Sequence, residues 1–280
     1  MLLKDLKIKF QQELKGEYPQ EETGSFFNLL AEKYFGMNRL QMALEPERKI
    51  SAAEIENFET ALQKLKNHHP VQYIIGETEF FGLSFKVNEA VLIPRPETEE
   101  LVQWILNNIS SEENLKILDI GTGSGCIGIS LAKNLPQAEV LAMDVSEKAL
   151  ETAKFNAAFN EVKVNFMEQN ILELDKLDEQ FDVIVSNPPY VRELEKNGMQ
   201  RNVLDYEPEL ALYVEDKNPL IFYKKITKLA KESLRQNGKL YFEINQYLAK
   251  ETEILLKDCG YKACLKKDIF GNYRMLRGTF

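Results

Sequence analysis

The most specific chemistry in this 280-residue chain is concentrated in Asp182-Val-Ile-Val-Ser-Asn-Pro-Pro-Tyr190. Asp182 to Ser186 is a short β-branched apolar run of the kind that forms a buried strand. It breaks at Asn187-Pro188-Pro189-Tyr190, because two prolines hold their own φ at about −65° and cannot continue a central strand. Pro188 also pushes Asn187 towards an extended backbone. The result is a stiff corner at a strand's C-terminal end, where open α/β sheets bind ligands. This corner presents the Asn187 side-chain carbonyl, the Pro188 backbone carbonyl and the flat face of Tyr190. Two acceptors and a planar wall suit a planar group bearing an NH2, either a carboxamide or the exocyclic amine of a base. Accepting both N–H protons aims the nitrogen lone pair outward, which matters if an electrophile waits opposite. The bland alternative is a proline-rich loop with Tyr190 as packing, and Asn-Pro-Pro-Tyr directly after a buried strand is a rare way to build one.

A second constellation lies upstream. Gly121-Thr-Gly-Ser-Gly125 turns a strand, Lys116-Ile-Leu-Asp-Ile120, into a helix running through Leu131, and lets backbone approach a ligand closely. Gly123 to Gly128 also satisfies G-x-G-x-x-G, and Asp144 ends the next strand, where a ribose-binding acid belongs. This half of the site fits NAD or another adenosine cofactor. The companion residues separate the two. A dehydrogenase needs a proton relay, yet the only histidines, His68 and His69, lie in the helical N-terminal region just before Pro70. Asn-Pro-Pro-Tyr instead prepares an amine or amide nitrogen as nucleophile, whose natural partner is the sulfonium methyl of S-adenosylmethionine. Asp119, before the glycine loop, can organise that loop or meet the cofactor's ammonium group.

The elements that must position these residues follow from periodicity. Leu3, Leu6, Phe10 and Leu14 mark one helical stripe, and Phe26, Phe27, Leu30 and Tyr34 another. Ser51-Ala-Ala-Glu54 is a capping box opening a helix through Leu65. These stripes predict a small bundle over 1–70, either a structural cap or a partner-docking module. Residues 71–93 read as short β pieces and a hairpin punctuated by Gly76 and Gly82. Pro94-Arg95-Pro96 is a rigid segment suited to lining a site, with Pro96 and the glutamates after it opening a helix. From Leu115 onwards strands alternate with helices: Glu139–Met143, Val162–Phe166, Asp182–Ser186 and Gly238–Ile244, then Tyr261–Lys266 and Tyr273–Leu276. The expected fold is α/β, a doubly wound and mostly parallel sheet over 94–280 whose last two strands pair antiparallel.

Composition narrows the remaining options. A hydrophobic fraction of 44% and a charged fraction of 28% are ordinary for a globular chain. A net charge of −9 shows no basic footprint for nucleic acid. Three cysteines, Cys126, Cys259 and Cys264, have no metal-ligand spacing, so no metal is expected, and an odd count fits a reducing cytosol. No run reaches membrane-spanning length, and Met1-Leu-Leu-Lys-Asp-Leu-Lys is too charged for a signal sequence. A cytoplasmic monomer is the expectation.

Leu118-Asp-Ile-Gly-Thr-Gly-Ser-Gly125 together with Asn187-Pro-Pro-Tyr190 resembles class I methyltransferases acting on planar nitrogen. With Pro94-Arg-Pro-Glu-Thr-Glu99, Tyr206-Glu-Pro-Glu-Leu-Ala-Leu212, Phe242-Glu-Ile-Asn-Gln246 and the helical N-terminal region, the chain resembles HemK-type peptide chain release factor glutamine methyltransferases over essentially its whole length. The resemblance implies methylation of the side-chain amide of the glutamine in a release factor's Gly-Gly-Gln loop, with S-adenosylhomocysteine as the other product. It implies that the N-terminal bundle helps hold that protein substrate. Expected cofactor contacts are Asp119, Gly121, Thr122, Gly123, Ser124, Gly125, Asp144, Asn170, Ile171 and Asn187; expected catalytic and substrate contacts are Asn187, Pro188, Pro189 and Tyr190. The chain departs from the family pattern at Glu168-Gln-Asn-Ile-Leu172, where an acidic residue usually meets the adenine; the Asn170 carbonyl can accept from the adenine amine instead. The competing functions are a DNA or RNA base-amine methyltransferase and a release-factor-binding protein without catalysis.

Overall fold

A computed structural model describes residues 1–109 and 114–280. Five helices open the chain: α1 (Leu3–Glu13), α2 (Gln20–Phe35), α3 (Arg39–Leu44), α4 (Ala52–Lys66) and α5 (Val71–Ile75). Two begin with reciprocal caps. Asn38 and Gln41 cap α3, and the Ser51 hydroxyl accepts from Glu54 N while Glu54 Oε2 accepts from Ser51 N, at 3.3 and 2.8 Å. Their apolar stripes converge on one core. Phe58 of α4 sits at its centre, fully buried, with its ring centroid 5.3 Å from Phe10, 5.4 Å from Phe27 and 5.3 Å from Phe35. Phe58→Ala should therefore cost ~3–5 kcal/mol of stability. A lowered denaturant midpoint would register it; an unchanged midpoint would show that this core closes around the cavity.

Where β pieces were expected from Val71, the structure has helix α5. Pro70 precedes its first residue, and Gly76 ends it in the left-handed region at φ 79°. These end signals outweigh the β-branched content of Val71-Gln-Tyr-Ile-Ile75. The extended hairpin is confined to β1 (Glu77–Phe80) and β2 (Leu83–Lys86).

The alternation then proceeds as α6 (Pro96–Leu106), β3 (Lys116–Ile120), α7 (Cys126–Asn134), β4 (Glu139–Asp144), α8 (Glu147–Phe159), β5 (Asn165–Glu168) and β6 (Phe181–Ser186). After the Asn-Pro-Pro-Tyr corner come the two-residue strand β7 (Val191–Arg192), α9 (Arg201–Tyr206), α10 (Glu209–Leu212) and β8 (Tyr213–Val214). The chain closes with α11 (Ile221–Ser233), β9 (Leu234–Glu243), α12 (Ala249–Asp258), β10 (Lys262–Lys267) and β11 (Tyr273–Thr279). β5 starts at Asn165 and not at Val162, because Glu161 turns left-handed at φ 57° and the Val162 N–H closes the end of α8 on the Ala157 carbonyl.

Seven strands form one sheet in the order β10-β11-β9-β6-β3-β4-β5. β9, β6, β3, β4 and β5 run parallel, and β11 pairs antiparallel with both β9 and β10. Both faces are covered: Ile117, Val183 and Val185 enter one core, Leu118, Ile120 and Ile184 the other. That explains strands that read as continuous apolar runs instead of alternating ones. The strand order reverses between β3 and β6, so their C-terminal ends flank the crevice where such sheets hold ligands.

The chain separates into two compact units. One contains Met1–Gly76 together with Arg201–Tyr206, and the other contains Glu77–Gln200 and Glu207–Phe280. The helical unit thus runs to residue 76 and takes in α9, whose Tyr206 hydroxyl donates to the Asn67 carbonyl at 2.7 Å. No helix among the described residues is long and apolar enough to cross a membrane.

Candidate active site

The loop after β3 is held from below by Asp119. This side chain is fully buried; its Oδ2 accepts from Thr122 Oγ1 at 2.6 Å and from Gly128 N at 3.0 Å, while Oδ1 has no partner among the described residues. Burial pushes its carboxyl up to about 6, against the pull of those two hydrogen bonds. Asp144, at the end of β4, clamps the loop from the other side. Its Oδ2 accepts from Gly123 N at 2.8 Å and its Oδ1 from Ser146 N at 2.9 Å. Gly121 and Gly123 have φ of 71° and 55°, and a Cβ on either would project into open space. An L-residue would be strained there and would intrude on whatever the loop faces.

What the loop faces is a cavity of about 330 Å³, at the small end of ligand-site volumes. Gly121, Thr122, Gly123, Ser124 and Asp144 line it, together with Asn170, Ile171, Asn187, Pro188 and Pro189. Pro94 and Arg95 also line it, as the rigid Pro-Arg-Pro segment suggested. Arg95 is anchored by a 2.6 Å ion pair to the buried Glu207 of the Tyr-Glu-Pro-Glu segment. An acid with spare lone pairs, side-chain-free loop backbone and the apolar Ile171 fit a ribose, a charged amino-acid tail and a planar base. The residues present therefore suit S-adenosylmethionine. Asn170 holds itself in a turn, its Oδ1 accepting from Leu172 N at 3.0 Å and its Nδ2 donating to Glu173 at 2.8 Å. Its carbonyl keeps one lone pair for a base amine.

Three expected contacts stand outside the cavity wall: Asp119, Gly125 and Tyr190. Asp119 lies beneath the loop, where its Oδ2 organises Thr122 and Gly128. Gly125 caps α7 with φ 85°, its Cα side closed off by Ile129 and Ala153. Tyr190 points its hydroxyl inward, donating to Glu243 Oε1 at 3.0 Å, and its half-buried ring packs on the core beneath β6 and β9.

Two family models match the chain, the PrmC N-terminal domain over residues 6–76 and the Methyltransferase small domain over 98–205. A release factor glutamine methyltransferase of Flavobacterium psychrophilum is 55% identical over 100% of both chains. The chain belongs to the release factor glutamine methyltransferase family. A second relative of that name, from Bacteroides thetaiotaomicron, is 44% identical over 95% of this chain and 96% of its own. Among solved structures, a methyltransferase from Pyrococcus furiosus superposes with a TM-score of 0.51 at 19% identity, covering 80% of this chain and 98% of that one. That likeness concerns the fold alone.

Within this family member, the corner after β6 is tied down by residues whose roles the sequence left unassigned. Asn245 Nδ2 donates to the Tyr190 carbonyl at 3.0 Å and to Glu195 at 3.1 Å. Ser186 Oγ donates to the Ile120 carbonyl at 2.7 Å, locking the ends of β6 and β3 together. Thr98, in the first turn of α6, donates to Glu243 Oε2 at 2.6 Å and accepts from Asn187 Nδ2 at 3.5 Å. Thr98 and Glu243 both fall in segments that carried the family resemblance, which is the only signal in the sequence that pointed to them. Among the described residues neither Asn187 Oδ1 nor the Pro188 carbonyl accepts a hydrogen bond. Two residues that line the cavity thus keep a free acceptor, and no group of side chains able to hold a metal is found among the described residues.

Proposed function

We propose that this chain methylates the side-chain amide nitrogen of the glutamine in the Gly-Gly-Gln motif of peptide chain release factors, using S-adenosylmethionine and releasing S-adenosylhomocysteine. The observation that carries the reading is the pair of free acceptors, Asn187 Oδ1 and the Pro188 carbonyl, on residues that line the same cavity as the glycine loop and Asp144. The names of the full-length relatives point to the same substrate class.

Asp144 would accept from the ribose hydroxyls, the Gly121–Ser124 backbone would border the amino-acid tail, and Asn170 with Ile171 would border the base. The cofactor supplies an electrophilic sulfonium methyl. An amide nitrogen is a poor nucleophile because its lone pair is shared with its carbonyl. Asn187 and Pro188 address this without a base: each accepts one N–H of the substrate amide, so the lone pair is directed away from them. The proton leaves after methyl transfer, when the nitrogen has become strongly acidic. Positioning of this kind can supply ~7–11 kcal/mol of a barrier. The helical unit would add docking surface for the protein substrate.

The test compares labelled methyl transfer to purified release factor with transfer to duplex DNA, single-stranded DNA and RNA. Transfer to the protein alone is expected. A preference for nucleic acid would replace this reading with that of a base-amine methyltransferase, and cofactor binding without any transfer would leave a binding protein.

A further inference from the structure

Glu243 is a buried acid that the transfer reaction described above does not use. It lies at the end of β9, 1% exposed, and both of its oxygens are engaged: Oε2 accepts from Thr98 Oγ1 at 2.6 Å, and Oε1 from the Tyr190 hydroxyl at 3.0 Å. Thr98 is 2% exposed. A threonine hydroxyl has one proton, and here that proton goes to the carboxylate. Towards Asn187 it can therefore only accept. Asn187 meets it with Nδ2, at 3.5 Å, which leaves Oδ1 for the cavity.

We propose that Glu243 and Thr98 are positioning residues that fix which end of the Asn187 carboxamide faces the substrate. The proposal rests on the reading of Asn187 as an acceptor for a substrate NH2, and deepens it. An amide flipped end for end has almost the same shape, so packing alone does not choose between its two orientations. Hydrogen-bond direction does. While Glu243 is ionised, Thr98 donates to it and Asn187 must turn its NH2 inward. If Glu243 carries a proton, that proton can occupy Oε2, and the Thr98 hydroxyl is released to donate to Asn187 Oδ1. The amide would then present NH2 to the substrate NH2, donor facing donor.

The same geometry gives the pH dependence a sign. Burial raises the Glu243 carboxyl above its ordinary value; Thr98, Tyr190 and Arg274 of β11 oppose that rise, and Glu97 of α6 adds to it. The Tyr223 hydroxyl of α11 donates to the Glu243 backbone carbonyl, and Cys126 of α7 also feels the charge of this carboxylate. Transfer needs the ionised form. Its rate should therefore fall as pH drops through a pKa lying above the usual carboxylate range.

Single-turnover methyl transfer to purified release factor tests this with Thr98→Val, Thr98→Ser, Glu243→Gln and the Thr98→Val/Glu243→Gln pair, each checked by thermal melt and by cofactor calorimetry. Thr98→Val, which keeps shape and loses the hydroxyl, should lower the transfer rate roughly 10- to 100-fold, with release-factor KM and cofactor affinity unchanged. Thr98→Ser should restore the rate. Glu243→Gln should show a similar loss and a pH profile from which the Glu243 step is gone, leaving only whatever acid limb Asp119 contributes through the loop, and the double variant should fall no further than the worse single, because both act through one chain of bonds. A folded Thr98→Val variant at the wild-type rate overturns the proposal, as do independently adding losses. If Glu243→Gln does not fold, the Thr98 pair alone decides. Wild-type protein that fails to methylate release factor would instead overturn the functional reading.

Discussion

Asn187→Ala should lower kcat for methyl transfer to release factor by roughly 10²–10³, the loss seen when one preorganised polar group is removed from a reacting centre. The substitution deletes the Oδ1 acceptor of a cavity-lining residue and the Nδ2 donor that meets Thr98. The substrate N–H that Asn187 would receive is then buried without a partner, which by itself costs ~1–3 kcal/mol. Misalignment of the lone pair adds to that. The Pro188 carbonyl remains, so the site loses direction more than it loses binding, and the effect belongs in kcat instead of KM. Cofactor affinity should change little, because the loop and its Asp144 clamp are untouched. A folded Asn187→Ala enzyme with near-normal turnover would remove Asn187 from the chemistry.

Asp144→Ala should weaken cofactor binding by roughly 100-fold while the protein stays folded. Asp144 would accept charge-assisted hydrogen bonds from the ribose, each worth ~1.5–3 kcal/mol, and a tenfold change in Kd is ~1.4 kcal/mol. It also holds Gly123 N at 2.8 Å, so its loss slackens the loop that faces the same ligand. Calorimetry with S-adenosylhomocysteine reads the effect without turnover, and at saturating cofactor kcat should largely recover. Unchanged affinity in a folded variant would place the ribose elsewhere.

The sheet was legible in the sequence because its central strands, β3, β4 and β6, are largely buried, which writes them as mainly apolar runs between turn residues. The loop at Gly121–Gly125 and the stop at Asn187-Pro188 were legible because few residues other than glycine and proline can do what the backbone does there. α5 was not, since Val71-Gln-Tyr-Ile-Ile75 has strand-like composition and only its ends, Pro70 and Gly76, announce a helix. The inner support of the site was hidden for a different reason. Thr98 and Glu243 are 145 positions apart, and Tyr190 and Glu243 are 53 apart. A sequence shows the type of each residue and not its partner, so the Tyr190 ring could be read as a wall for the substrate, while the bond of its hydroxyl to a buried carboxylate could not be read at all. The contacts of Asp119 with Thr122 and Gly128 were equally hidden, because a sequence does not show which atoms a buried carboxylate meets.

The most direct measurement is tandem mass spectrometry of release factor after incubation with this protein and methyl-labelled S-adenosylmethionine. A single methyl group on the side-chain amide of the Gly-Gly-Gln glutamine, formed roughly 10²–10³ more slowly when Asn187→Ala replaces the wild-type protein, is the predicted result. A methyl group on any other residue, or none on a release factor that the protein demonstrably binds, would contradict it.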